Sequence, residues 1–510
     1  MQASLPAALR LAADRFSSLP AILTDERRVD FAEFDRASDA IAAGLAVRGV
    51  AKGERIGLYC INSVEFALAY AGIVKAGAVV VPINLLLSAE EVHYNLADAG
   101  VSGLIYHGQV SANAAAVADR LSGLKVRAGI GLDGPDGDVW RALLEESAAP
   151  PCIEFDGGED LAAILYTSGT TGHPKGAMLT HGNLLANTTS VREALDWRPG
   201  EDRVLVVLPM FHAFAATVGM LTPLLHGCAL IPLAKFEPDR VADTIGRHRA
   251  TLFLGVPSMY ALLCRLGEER IARFGTVRLC VSGGAALPPS VMEQFQARFG
   301  LPIHEGDGPT ECSPVTCVNP VAGPVKRGTV GLPVPGVEMK ILGEDGAELP
   351  RGELGEIAVR GANVFKGYWN QPEATRECFR DGWFLTGDLG QVDDDGYFSI
   401  VDRKKDLIIV NGMNVYPRVI EEVLCRHPAV REVAVVGDPD SLHGERVVAY
   451  VVLDAPASEA EIRAWCKPYL GRHEIPRQVK ALQQLPRNAA GKVVKRQLRR
   501  QGEVERGVDA

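Results

Sequence analysis

The run Tyr166-Thr167-Ser168-Gly169-Thr170-Thr171-Gly172-His173-Pro174-Lys175-Gly176 follows an apolar stretch, Leu161-Ala162-Ala163-Ile164-Leu165, that reads as a buried strand. Glycines and small hydroxyl residues then cluster so densely that a loop must form. Gly169 and Gly172 let the backbone approach an anion and turn its N–H groups inward. Thr167, Ser168, Thr170 and Thr171 add hydroxyl donors, and Lys175 adds a point charge suited to phosphate. The spacing is not that of a Walker loop, which needs four residues between its glycines and then Lys-Ser/Thr. A lone run of this composition reads more readily as a surface hairpin with a solvated lysine, so the rest of the chain has to weigh in.

At 510 residues the chain exceeds one ordinary domain, and two to four are expected. Hydrophobic residues make up 47% and charged residues 23%, a globular composition. The 53 Lys and Arg against 63 Asp and Glu leave a net charge of −10, which gives no general attraction to nucleic acid. Locally the end is basic: Lys492, Lys495, Arg496, Arg499 and Arg500 suit either an anionic ligand or a solvated helix face. Ten scattered cysteines form no Cys-x-x-Cys pair, so no structural zinc is indicated. They read as reduced core residues of a cytoplasmic protein. No secretion signal and no membrane-spanning apolar stretch is expected. Leu5, Leu9, Ala12, Ala13 and Phe16 share one helical face, the pattern of a core-packing helix.

Residues 1–160 alternate helical and short apolar segments. Arg55–Cys60 reads as a strand, Glu65–Ala78 as a helix and Val79–Pro82 as the next strand. Such alternation implies βαβ units on a parallel sheet. Residues 133–136, Asp-Gly-Pro-Asp, read as a surface turn. A second set of strands follows the glycine loop: Val204–Leu208, Ala229–Leu233, Leu252–Val256 and Val277–Ser282. From about residue 325 short apolar runs sit between Pro/Gly turns, as in a small β-rich subdomain. Asp402-Arg403-Lys404-Lys405-Asp406 marks a boundary, and a compact α/β segment follows. The expected class is α/β: a large domain over 1–402, β-rich across 325–402, and a separate small domain over 403–510.

Further motifs stand in a fixed order. Gly283-Gly284-Ala285-Ala286-Leu287-Pro288 follows a strand and permits close approach of a flat ring or acyl chain. Glu305-Gly306-Asp307-Gly308-Pro309-Thr310-Glu311, Trp383-Phe384-Leu385-Thr386-Gly387-Asp388, Asn411-Gly412-Met413-Asn414 and Leu485-Pro486-Arg487-Asn488-Ala489-Ala490-Gly491-Lys492 come next. With the glycine loop they resemble the signature motifs of the adenylate-forming superfamily of acyl-CoA synthetases, peptide-synthetase adenylation domains and luciferases. The resemblance covers nearly the whole chain, and its wording is most similar to bacterial fatty-acyl-CoA ligases.

The resemblance implies an ATP-dependent acyl-CoA synthetase. A carboxylate attacks the α-phosphate of ATP with Mg²⁺, and CoA then takes the acyl group from acyl-AMP. It implies that Thr167, Ser168, Gly169, Thr170, Thr171, Gly172 and Lys175 cradle the phosphates. Gly284, Ala285, Glu305, Gly306, Asp307 and Gly308 would border the nucleotide, Thr310 would touch phosphate, and Glu311 would hold Mg²⁺. Asp307 departs from the family, which has an adenine-packing tyrosine there. Asp388 would accept from the ribose diol and Arg403 would meet ribose and phosphate. Lys405 would be the hinge, Gly412 would let the pantetheine arm pass, and Lys492 would stabilise the first transition state. His212, Ala216, Gly219 and Gly283 would open into the acyl pocket. A medium- or long-chain fatty acid is expected, with an aryl or alicyclic acid as runner-up. Loading of a carrier protein and a non-catalytic adenylate sensor are the alternatives. A homodimer is compatible with the sequence.

Overall fold

A computed structural model describes residues 4–167, 174–440, 442–487 and 493–499. The chain forms two compact units, one of Met1–Met339 with Val359–Phe384 and one of Lys340–Ala358 with Leu385–Ala510. It therefore passes between them three times. The expected boundary at 402/403 does not coincide with these units. Asp388 to Val392 pairs antiparallel with Phe398 to Arg403, so these two strands stay together in the second unit.

Among the described residues the first unit holds two mostly parallel sheets. The first has seven strands in the order Gly367–Tyr368, Lys175–Thr180, Leu161–Thr167, Val79–Pro82, Arg55–Tyr59, Val101–His107 and Val126–Ile130. Its interior pairs are parallel, and the glycine-loop hairpin and Gly367–Tyr368 add antiparallel strands at one edge. The second has nine strands, with a parallel centre of Ile303–Asp307, Leu279–Ser282, Leu252–Gly255, Arg203–Val206 and Ala229–Pro232. Of these, Leu279–Ser282, Leu252–Gly255 and Ala229–Pro232 are mostly apolar and buried, as in a parallel sheet covered on both faces, whereas Ile303–Asp307 carries His304, Glu305 and Asp307.

Local choices explain the helices. Ser63 caps Val64–Lys75 by accepting from the Phe66 N–H, and the helix is buried along nearly its whole length. Lys75 at its end is buried too, and its ammonium is matched by Asp39 at 2.8 Å and by Asp35. The residues expected as a turn at 133–136 instead start a helix, Pro135–Leu144. Proline suits the first turn, where its missing N–H costs nothing. Under the second sheet Phe253, Tyr260 and Phe295 meet edge to face at 5.5 and 5.0 Å, and the Tyr260 hydroxyl donates to the Val281 carbonyl at 2.8 Å.

In the second unit Val430–Asp440 and Gly444–Leu453 form a long antiparallel pair extended by Ile408–Val410 and Met413–Val415. Gln478–Ala481 joins parallel, and the helices Pro417–Cys425 and Glu459–Cys466 pack on this sheet. Part of the basic end is engaged within the unit: Lys495 pairs with Glu421 at 2.8 Å and Arg499 with Asp406 at 3.0 Å. The cysteines are unpaired, and most are buried. No helix among the described residues is long and apolar enough to cross a membrane.

Candidate active site

Open parallel sheets expose loops at the carboxyl ends of their strands, and ligands bind there. The sequence-derived motifs of the first unit lie at such ends. The strand Leu161–Thr167 leads into the glycine loop, and Lys175–Thr180 leaves it, with Thr167 opposite Lys175. Ser168, Gly169, Thr170, Thr171 and Gly172 lie outside the described residues, as does Lys492. The loop's two posts are therefore fixed by the hairpin, with the Thr167 hydroxyl donating to the Lys175 carbonyl at 3.4 Å.

Lys175 and Glu311 meet around Tyr368. The Tyr368 hydroxyl donates to Glu311 Oε1 at 2.7 Å, and Lys175 Nζ lies 5.0 Å from the centre of the same ring. Burial and the Glu311 carboxylate push the Tyr368 phenol well above its ordinary value, so it stays a donor. The Phe365 N–H also reaches the Glu311 carbonyl at 2.7 Å. No group of three or more His, Cys, Asp or Glu side chains among the described residues could hold a metal by itself. One carboxylate still fits Mg²⁺, which takes one or two protein carboxylates when phosphates supply the rest.

A second cluster surrounds Gly283. A Cβ placed there would lie 3.3 Å from Phe214 Cε1 and 3.5 Å from the Gly306 carbonyl, so three segments converge on it. Gly284 has φ +78°, a conformation that favours glycine, and Gly284 and Ala285 are exposed. Beneath them Glu305 is buried, and its Oε1 accepts from the Leu287 N–H at 2.9 Å. Glu305 thus supports the loop from inside. The Thr316 N–H and hydroxyl both donate to the Asp307 carbonyl at 3.0 Å. A Cβ at Gly308 would fall about on the Pro314 carbonyl, at 2.1 Å, so that turn admits no side chain. Asn187 brackets the same turn, donating to the Val315 carbonyl at 2.7 Å and accepting from its N–H at 3.1 Å. Thr310 begins the single 3₁₀ turn Thr310–Cys312 that carries Glu311.

Buried Asn62 positions the segment leading to His212: it donates to the Leu208 carbonyl at 2.9 Å and accepts from the Met210 N–H at 2.7 Å. His212 is exposed, and its ring nitrogen accepts from the Phe214 N–H at 3.4 Å. Phe214–Leu221 is a π-helix, a form that concentrates at functional sites. Ala216 is buried in it. At Gly219, expected in the acyl pocket, a Cβ would lie 2.7 Å from Val206 Cγ2 and 3.4 Å from Leu254 Cδ1. The glycine allows helix and sheet to approach and leaves no open space.

In the second unit Arg403 Nε binds buried Asp388 at 2.9 Å. The Asp388 N–H donates to the Thr386 hydroxyl, and Asp402 accepts from the Arg403 and Arg418 N–H groups at 2.7 and 2.8 Å. Lys405 is exposed in the next turn, Lys404–Asp406. Gly412 has φ +77° with open space on the side where a Cβ would stand. Beside it opens a cleft of about 400 Å³, lined by Asn411, Arg446, Arg472 and Arg477 with His443 and His473. Its carboxylates are already satisfied: Glu445 accepts from the Ile409 N–H, and Asp440 from the Leu442 and His443 N–H groups. Sequence reasoning missed this cleft, as its cations spread over residues 443–477, and assigned no role to Tyr368. The larger hollow, about 590 Å³ along the helix His181–Ala194, contains none of the expected site residues.

Residues 9–369 match the family model described as AMP-binding enzyme, and residues 419–492 match its C-terminal domain. A long-chain-fatty-acid–CoA ligase of Bacillus subtilis (strain 168) is 35% identical over 97% of this chain and 94% of its own length. A feruloyl-CoA synthase of Amycolatopsis sp is 38% identical over 92% and 93%. The crystal structure of ATP-bound MatB from Rhodopseudomonas palustris superposes with a TM-score of 0.90 at 36% identity, covering 98% of this chain and 99% of that one. The site's geometry and these likenesses agree: the chain belongs to the AMP-binding enzymes of the adenylate-forming superfamily and is an AMP-forming acid–CoA ligase.

Proposed function

We propose that the enzyme activates a medium- or long-chain fatty acid as acyl-AMP, releasing pyrophosphate, and transfers the acyl group to CoA with release of AMP. The observation that carries the adenylation half is the Lys175–Tyr368–Glu311 cluster at the exit of the glycine loop. Lys175 offers positive charge to the outgoing phosphates, and Glu311 would hold Mg²⁺, which supplies neutralisation of their charge when bound. Thr310, Asp307 and the Gly283–Ala285 loop would border the nucleotide. Asp388, oriented by Arg403, would accept from the ribose diol. Lys492 would stabilise charge on the α-phosphate as the carboxylate attacks. The cleft beside Gly412 supports CoA as acceptor, because Arg472 and Arg477 suit the phosphates of a nucleotide thiol, while Arg446 already pairs with Asp438 and His443 with Asp440. A cytoplasmic location suits its unpaired cysteines.

An apolar tail is supported by the fatty-acid ligase among the relatives. The feruloyl-CoA synthase favours a second reading, an aryl acid. Pyrophosphate release with octanoate, palmitate and ferulate, each with and without CoA, separates them. Turnover on palmitate with CoA supports the first reading. Ferulate alone as substrate would replace it, and turnover independent of CoA would point to carrier-protein loading.

A further inference from the structure

Glu311 is gripped at both ends by one short segment. The Phe365 N–H donates to its carbonyl and the Tyr368 hydroxyl to Oε1 of its carboxylate, each at 2.7 Å. Tyr368 itself has little freedom. Its backbone pairs with Ala177 on the strand leaving the glycine loop, its N–H donates to the Thr375 hydroxyl at 2.9 Å, and Phe365 meets its ring edge to face at 4.9 Å. The ring also seats Lys175, whose ammonium lies over its face. A cation–π contact holds an ammonium without neutralising it, so its charge remains available to a phosphate. A glutamate on an unrestrained side chain would lose rotamer freedom each time it presented an oxygen to a cation. Here that cost is met in the folded enzyme.

We propose that Tyr368 is a positioning residue for the adenylation half-reaction: its hydroxyl pins one oxygen of Glu311 and reserves the other for the divalent cation of the nucleotide, while its ring seats Lys175 at the foot of the glycine loop. This rests on the function proposed above. Mn²⁺ titrated into the enzyme with ATP and followed by electron paramagnetic resonance tests it, alongside the Mg²⁺ dependence of pyrophosphate exchange. Tyr368→Phe keeps the ring and removes only the hydroxyl. Its Mn²⁺ dissociation constant and the Mg²⁺ giving half-maximal exchange should both rise roughly tenfold, as for one lost charged hydrogen bond. Saturating Mg²⁺ should restore kcat. Tyr368→Leu should add a higher KM for ATP, because Lys175 loses its seat. Unchanged Mn²⁺ binding in Tyr368→Phe overturns the proposal, as does a fall in kcat that Mg²⁺ does not restore. Failure of the wild type to exchange pyrophosphate with any acid would instead remove the functional reading, and the Mn²⁺ titration would still judge Tyr368.

Discussion

At Gly219 a larger side chain has nowhere to go. Small residues after His212 read in the sequence as room for an acyl chain, but in the structure the space at Gly219 is taken by Val206 and Leu254. Gly219→Leu should therefore destabilise the first unit by about 1–3 kcal/mol through overpacking, seen as a lower denaturation midpoint. A shift in chain-length preference with unchanged stability would place this position in the pocket. His181 makes a different residue-scale prediction. It is buried, its Nδ1 accepts from the Leu5 N–H at 3.3 Å, and the edge of Phe155 lies against it. Burial lowers its pKa from 6.5 to about 4. Between those values the unfolded chain binds the extra proton and the folded chain does not. This contribution is complete well above pH 6.5 and falls as pH drops toward 4, by ~2.5 kcal/mol at pH 4.5 for this one group. His181→Asn should lose less stability than the wild type between pH 7 and 4.5 in denaturant titrations. Equal losses would mean that other groups carry the acid sensitivity.

Elements differ in how plainly they show in sequence. Val79–Pro82 is a run of β-branched residues closed by proline, and its bounds were readable because nothing else fits such a run. The amphipathic face of Leu5–Phe16 was readable for the same reason: Leu5, Leu9, Ala12 and Ala13 are buried. Gly134-Pro135 was not, because the pair serves a turn and a helix start alike. The π-helix at Phe214–Leu221 left only an apolar run, since i→i+5 bonding has no residue signature; Thr222 closes it by bonding the Thr217 carbonyl through both N–H and hydroxyl. The site was legible where its residues are adjacent, as in Thr310-Glu311. It was hidden where tertiary structure assembles it, as with Tyr368, 57 residues from Glu311. The basic cleft belongs to the hidden kind, and its function can be separated by substrate. Arg472→Ala and Arg477→Ala should each raise KM for CoA by roughly tenfold, the worth of one charged phosphate contact, and leave pyrophosphate exchange unchanged. Loss of exchange in these variants would remove CoA from the cleft.

At the scale of the whole molecule, the two proposed half-reactions share one chain while depending on different parts of it. Lys492, in the segment between Arg487 and Val493, is proposed to act only while acyl-AMP forms; those two flanking residues are bridged antiparallel. Lys405 is proposed as the pivot, and it sits in a single 3₁₀ turn between the strand ending at Arg403 and the strand starting at Ile408. Such a turn has few backbone hydrogen bonds to lose, although Lys404 pairs with Glu356 and Asp406 with Arg499. Proline at 405 would fix φ near −65° and restrict Lys404 as well. Lys492→Ala should therefore abolish acyl-AMP formation yet convert supplied acyl-AMP and CoA to thioester. Lys405→Pro should do the reverse, sparing pyrophosphate exchange and blocking thioester formation. The two variants mixed in one tube, with acid, ATP and CoA, should recover thioester, because released acyl-AMP made by one can be used by the other. If Lys405→Pro depresses both half-reactions equally, residue 405 is a structural turn and the change between half-reactions is made elsewhere in the chain.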